Sequence, residues 1–119
     1  MQSYRELLVW QKSIELVAEI YKLISHFPKS ELFALTTQVR RAAVSIPSNI
    51  AEGYTHKHKA EYIQFLRIAF GSGAELETQL CIAKKVGLAE EKLFMISDGL
   101  LSEVMRMLNK LQSSLVAKP

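Results

Sequence analysis

Apolar residues recur along this chain in alternating steps of three and four, the spacing that gathers them on one side of an α-helix. The first such segment runs from about Leu8 to Ser25. Trp10, Ile14, Val17, Tyr21 and Ile24 form one stripe, and Leu16, Ile20, Leu23 and Phe27 form a second. At about 100° per residue the two stripes lie about 110° apart. Lys12, Glu15, Glu19 and Lys22 share the remaining face. The apolar arc covers roughly half the circumference, wider than the ~100° that one core contact requires. Pro28 ends the segment.

A second helix is expected from Ser30, with Ser30 as N-cap and Glu31 suited to the positive end of the dipole. Leu35, Val39, Ala42, Ile46 and Ile50 line one face, and Ala34, Ala42, Ala43, Ser45, Ser48 and Ala51 are small enough to admit a close neighbour. Pro47 falls inside this pattern and removes one backbone hydrogen bond. The expectation is one kinked helix from about Glu31 to Tyr54, with the Ala43 carbonyl deprived of its usual partner. The rival, a stop near Ser45 and a restart at Asn49, leaves little helix before Gly53. A third helix spans about Lys59 to Val86 on a heptad seam of Tyr62, Leu66, Ala69, Gly73, Leu76, Leu80 and Ala83. Gly73 on that seam implies close backbone approach, and Gly87 ends the helix as its C′ residue. The fourth runs from about Glu90 to Leu115 on Leu93, Ile96, Leu100, Val104, Met107 and Leu111. Short connections make neighbours antiparallel, so the pattern predicts an all-α, up-down four-helix bundle in a single domain over residues 1–119.

Composition agrees. The 119 residues suit one domain, and 49% apolar with 23% charged is the balance of a globular protein. Five glycines and three prolines leave little room for a turn-rich β architecture. No apolar run approaches the ~18 residues that span a bilayer, and Leu7-Leu8-Val9-Trp10 is too short for a signal-peptide core. The lone Cys81 excludes an intrachain disulfide and fits a reducing, cytoplasmic setting. A net charge of +3 permits contact with nucleic acid without requiring it.

Catalytic patterns are mostly missing. Gly71-Ser72-Gly73 lacks the strand-turn-helix setting and the lysine of a phosphate loop, and reads as helix packing. Cys81 has no base at a suggestive spacing. His56 and His58 are two apart and face different ways on a helix, and no Glu-x-x-His motif occurs. No enzyme activity, catalytic residue, cofactor or metal site is therefore assigned. The basic string His56-Lys57-His58-Lys59 precedes the third helix, whose N-terminus already attracts anions. It is either an exposed turn without a ligand or an anion site. Arg40 and Arg41 diverge by about 100°. One pairs with a carboxylate such as Glu77, or contacts phosphate instead. Arg40, Arg41, Lys57 and Lys59 are thus the candidate nucleic-acid contacts. Trp10, Leu16, Ile20 and Leu23, on the wide apolar arc, are the candidate oligomer interface.

Val9-Trp10-Gln11-Lys12, Phe27-Pro28 and Gln38-Val39-Arg40-Arg41-Ala42-Ala43, followed by Ser45-Ile46-Pro47-Ser48-Asn49-Ile50-Ala51-Glu52-Gly53-Tyr54, form an ordered set. Glu61 to Ala69, Gly71-Ser72 and Glu75 to Leu80 continue it. Across roughly residues 8–86 the chain resembles the bacterial four helix bundle protein family, whose founding members are encoded by intervening sequences within large-subunit ribosomal RNA genes. Where that family has an Arg-Ser pair ahead of the third helix, this chain has Lys57 and His58. The helix cap is then lost or moved to Thr55. The resemblance implies an antiparallel bundle assembled as a homopentameric ring, with no known enzyme activity. It extends distantly to the accessory protein of diversity-generating retroelements, a basic pentamer that works with nucleic acid. RNA or DNA held through phosphates is the expected partner. The alternative is a protein-binding module with no nucleic-acid role.

Overall fold

The computed structural model describes residues 3–56 and 58–117. Its four α-helices are α1 (Leu8–Ile24), α2 (Leu35–Thr55), α3 (Lys59–Lys85) and α4 (Met95–Ala117). No strand occurs among the described residues. Short 3-10 turns at Tyr4–Glu6, Lys29–Glu31 and Glu91–Phe94 lead into α1, α2 and α4.

Each helix packs on its neighbours in chain order, and α1 closes the circuit on α4. The result is an elongated bundle of 49 × 22 × 20 Å. Cross-helix contacts fix the directions. Ser45 Oγ meets Ser72 Oγ at 2.8 Å, Lys84 pairs with Asp98, and Lys12 Nζ reaches Glu103 Oε1 at 3.8 Å. Lys84 is late in α3 and Asp98 early in α4, Gly53 near the end of α2 lies against Tyr62 and Phe65 near the start of α3, and Leu8 and Val9 at the start of α1 share a groove with Lys110 and Leu111 late in α4, so neighbours run antiparallel. The core is a column of aliphatic side chains: Leu16, Ile20 and Leu23 from α1, Val39, Ile46 and Ile50 from α2, Leu66, Leu76 and Leu80 from α3, and Leu101, Val104 and Leu108 from α4. Phe94 plugs one end, its ring centroid 6.2 Å from that of Phe27.

The α3 seam is buried from Leu66 to Ala83, with Tyr62 half-buried at its start. A Cβ on Gly73 would stand 2.2 Å from Met105 Sδ, so the space is filled by a methionine side chain from α4 and not by the close backbone expected. At the other end of α3, Gly87 takes φ 72°. Its N–H donates to the Lys84 carbonyl at 3.1 Å, and the Leu88 N–H donates to Ala83 at 3.0 Å. Those two bonds make a Schellman cap, with Leu88 returning to the core.

Pro47 sits inside one continuous α2. It offers no N–H to the Ala43 carbonyl, and it is itself buried. The α2 start is later than the sequence pattern indicates. Ser30 belongs to a 3-10 turn and caps nothing, and α2 begins after Ala34, whose φ −123° and ψ −112° interrupt the helical path. The α4 seam also differs from expectation. Phe94, Ser97, Leu101, Val104 and Leu108 are buried, whereas Ile96 is 64% exposed. Apolar residues flank α4 on both sides of its true seam, and Ser97 interrupts the correct stripe, so periodicity favoured the neighbouring one.

Candidate nucleic-acid interface and the polar groove

The interface expected on α1 divides in two. Leu16, Ile20 and Leu23 are core residues, all at or below 2% exposure, and none is available to a second chain. Both α1 stripes are apolar, and hydropathy alone does not say which one the rest of the chain covers. Trp10 lies on the other stripe. It is half-buried, edge-on to Tyr4 at 5.3 Å between centroids, with the Arg5 guanidinium 5.8 Å from its ring centre. Beside it, Ile14, Val17, Val44, Pro47 and Ala51 line a groove of about 300 Å³ between α1 and α2. Ile14 and Tyr21 remain exposed.

Arg40 and Arg41 occupy successive positions on α2 and leave it on different sides. Arg41 is exposed and lines a groove against α3, and Arg40 is half-buried. Neither makes an ion pair or hydrogen bond among the described residues, and the pairing of an arginine with Glu77 does not form. Lys59 starts α3 at the far end of α2. With about 1.5 Å of rise per residue, it stands roughly 20 Å or more from the arginines. It is exposed and already has an interaction partner. Lys57 lies outside the described residues. The described basic candidates, Arg40, Arg41 and Lys59, are therefore spread along the bundle, not gathered in one patch.

The α2–α3 turn is held by contacts among side chains that stay exposed or half-buried. His56 Nδ1 is 2.9 Å from Glu61 Oε2, and its ring stacks on Phe65 at 5.1 Å. His58, at the N-cap of α3, makes no capping hydrogen bond through its side chain. Thr55 Oγ1 donates to the Glu52 carbonyl, so among the described residues the cap is lost, not moved to Thr55. Glu61 in the first turn of α3 supplies the negative charge that this helix end favours. Tyr54 and Tyr62 meet edge-on at 5.9 Å. Burial, and secondly the neighbouring Tyr54, raise the Tyr62 phenol above the usual tyrosine value.

A polar seam joins α2 to α3 further along. Asn49 Nδ2 donates to the Ser45 carbonyl at 2.8 Å and to Ser45 Oγ at 2.9 Å, and Ser45 in turn meets Ser72. Above this network Gln38, Arg41, Ala42, Ser45, Glu75 and Gln79 line a groove of about 270 Å³. Gln79 is 6% exposed, and its Oε1 has no hydrogen-bond partner. A buried acceptor left without a donor costs about 1–3 kcal/mol. Sequence reading missed this groove because Gln79 and Glu75 look like ordinary surface positions on a helix. The one available signal was a glutamine three residues beyond Leu76 and one before Leu80, at the edge of the core stripe.

Among the described residues, no group of three or more histidine, cysteine or acidic side chains is placed to hold a metal ion. Among them, no helix is long and apolar enough to cross a membrane. No curated protein matches the chain. A solved structure from Bacteroides thetaiotaomicron, described as a protein of unknown function from the S23 ribosomal protein family, is 23% identical. It superposes with a TM-score of 0.82, covering 88% of this chain and 98% of that one, and so shares the fold. The family described as 23S rRNA-intervening sequence protein matches residues 5–110, nearly the whole bundle, and the chain belongs to that family.

Proposed function

We propose that this protein is a non-catalytic, ring-forming scaffold that binds RNA or DNA through phosphate contacts. The observation that carries the reading is the pair of arginines on α2, both without a carboxylate partner among the described residues. An exposed guanidinium already committed to a carboxylate gains little from a phosphate, whereas a free one offers a bidentate donor fork. Assembly supplies what a single chain lacks. A few spread charges make a weak patch, but repeated around a homopentamer they become multivalent, and avidity raises binding without new contacts. The groove of Trp10, Ile14, Val17, Val44 and Pro47 is the apolar surface that a second copy of the chain would cover.

Filter binding of the full chain to single-stranded RNA tests the proposal. Affinity falls steeply between about 50 and 200 mM salt, and replacing Arg40 and Arg41 with glutamate lowers it further without dissolving the oligomer. Absence of binding at about 50 mM salt, where phosphate contacts are strongest, overturns it. A second reading, a protein-binding module, has its own support. Phe33 is 95% exposed beside Leu32, and Val86, Met95 and Ile96 are exposed in or next to the α3–α4 connection at the same end of the bundle. That end is where a protein partner would dock if nucleic acid does not bind.

A further inference from the structure

The polar groove between α2 and α3 combines groups of which the phosphate reading uses Arg41 alone. Its rim carries a cation and an anion, Arg41 and Glu75, that both line the groove yet do not pair with each other or with any other described residue. Its floor is the Gln79 side-chain amide, more than nine-tenths buried and making no hydrogen bond. That amide can offer an N–H or a carbonyl oxygen, because a turn about its last bond exchanges the two. Gln38 and Ser45 complete the wall. We propose that this groove binds a small zwitterion, a free amino acid, with its carboxylate on Arg41, its ammonium on Glu75 and a third polar contact to Gln79.

Three features select that class. A purely anionic ligand would meet the Glu75 carboxylate, and a purely cationic one would meet Arg41, so a ligand carrying both charges satisfies the rim where either alone does not. Ala42 is the only apolar residue lining the groove, so no flat surface exists on which a nucleobase or other aromatic ring would stack. The volume of about 270 Å³ accommodates a free amino acid. The inference shares Arg41 with the phosphate reading and differs from it in Glu75 and Gln79, so the Glu75→Gln variant separates the two.

An NMR titration of the ¹⁵N-labelled full chain tests it, adding each genetically encoded free L-amino acid in turn at about 10 mM. At least one saturably moves the Gln79 side-chain ¹⁵N signals. For that amino acid, the analogue without the ammonium group and the analogue without the carboxylate each bind at least about tenfold more weakly. Arg41→Gln and Glu75→Gln each weaken binding by about tenfold or more, while the amide spectrum elsewhere keeps its wild-type dispersion. Both residues are exposed, so neither change disturbs the core. The proposal is overturned if no amino acid moves the Gln79 signals. It is equally overturned if an analogue carrying only one of the two charges binds as well as its parent, or if either variant binds like the wild type.

Discussion

Gly71 and Gly73 are two residues apart on α3 and answer to different physics. A Cβ on Gly73 would meet Met105, whereas one on Gly71 would meet nothing within 4 Å. Gly71→Ala therefore removes backbone freedom from the unfolded chain without a clash, and it stabilises the fold by about 0.5–1 kcal/mol in urea unfolding. A loss of stability would show that Gly71 has a contact the bundle hides. Tyr62 makes a second case. Its hydroxyl is buried without a partner, so Tyr62→Phe is neutral or stabilising by up to about 1 kcal/mol at about pH 8. The folded-state phenol ionises above the unfolded one, so below about pH 10 its ionisation takes nothing from the fold. As pH rises from there through the raised value, the fold loses stability. The Phe variant lacks this alkaline loss, which unfolding curves at two pH values resolve.

Helix pairs show where sequence was enough and where it was not. The α3 seam was legible from Tyr62 to Ala83 because its steps of four and three are unbroken, although Ile63, Phe65, Ile68, Phe70 and Ile82 lie off it. The α4 seam was displaced by one position because Leu93, Ile96, Leu100 and Met107 are as apolar as the residues actually buried, while Ser97 lies in the core. The same ambiguity sent Leu16, Ile20 and Leu23 to the surface when they belong inside. Hydropathy ranks faces by apolar content, and two equally apolar faces need knowledge of the neighbours to be ordered. The α2–α3 contact was foreshadowed by small residues, and its tightest point is Gly53. A Cβ there would lie 2.6 Å from the Cβ of Phe65, an atom that cannot swing aside. Gly53→Ala is thus expected to destabilise by about 1–3 kcal/mol, against the usual gain for Gly to Ala in a helix. Thermal unfolding decides the sign.

As a whole molecule, the bundle leaves apolar surface on the α1–α2 side. Ile14, Tyr21 and Val44 are exposed there, with the Trp10 groove among them. Ile14→Glu places a charge on that surface without touching the core, so helical circular dichroism is retained. If this side joins copies of the chain, sedimentation velocity shows the variant moving to a 13.5 kDa species at micromolar concentration while the wild type stays larger. A wild type that sediments as one chain removes the assembly half of the proposed function. The candidate site was the least legible level of all. Arg40 and Arg41 could be identified from sequence as a divergent pair, but the absence of any partner depends on where Glu77 comes to lie, a tertiary fact.

The circuit in which each helix touches its chain neighbours, and α1 alone reaches back to α4, has a consequence in time. Contacts between sequential helices close short loops, and the α1–α4 contact closes nearly the whole chain, the costliest loop in entropy. Contact order is accordingly low, and folding falls on the microsecond-to-millisecond scale typical of helical bundles. The α2–α3 hairpin has the most extensive contact and the shortest connection, so it forms in the transition state, with α4 docking on α1 afterwards. In stopped-flow chevrons, Gly53→Ala then acts chiefly on the folding limb, and Leu108→Ala, in α4, chiefly on the unfolding limb. The reverse assignment would mean that the bundle closes from its ends before its middle pair has formed.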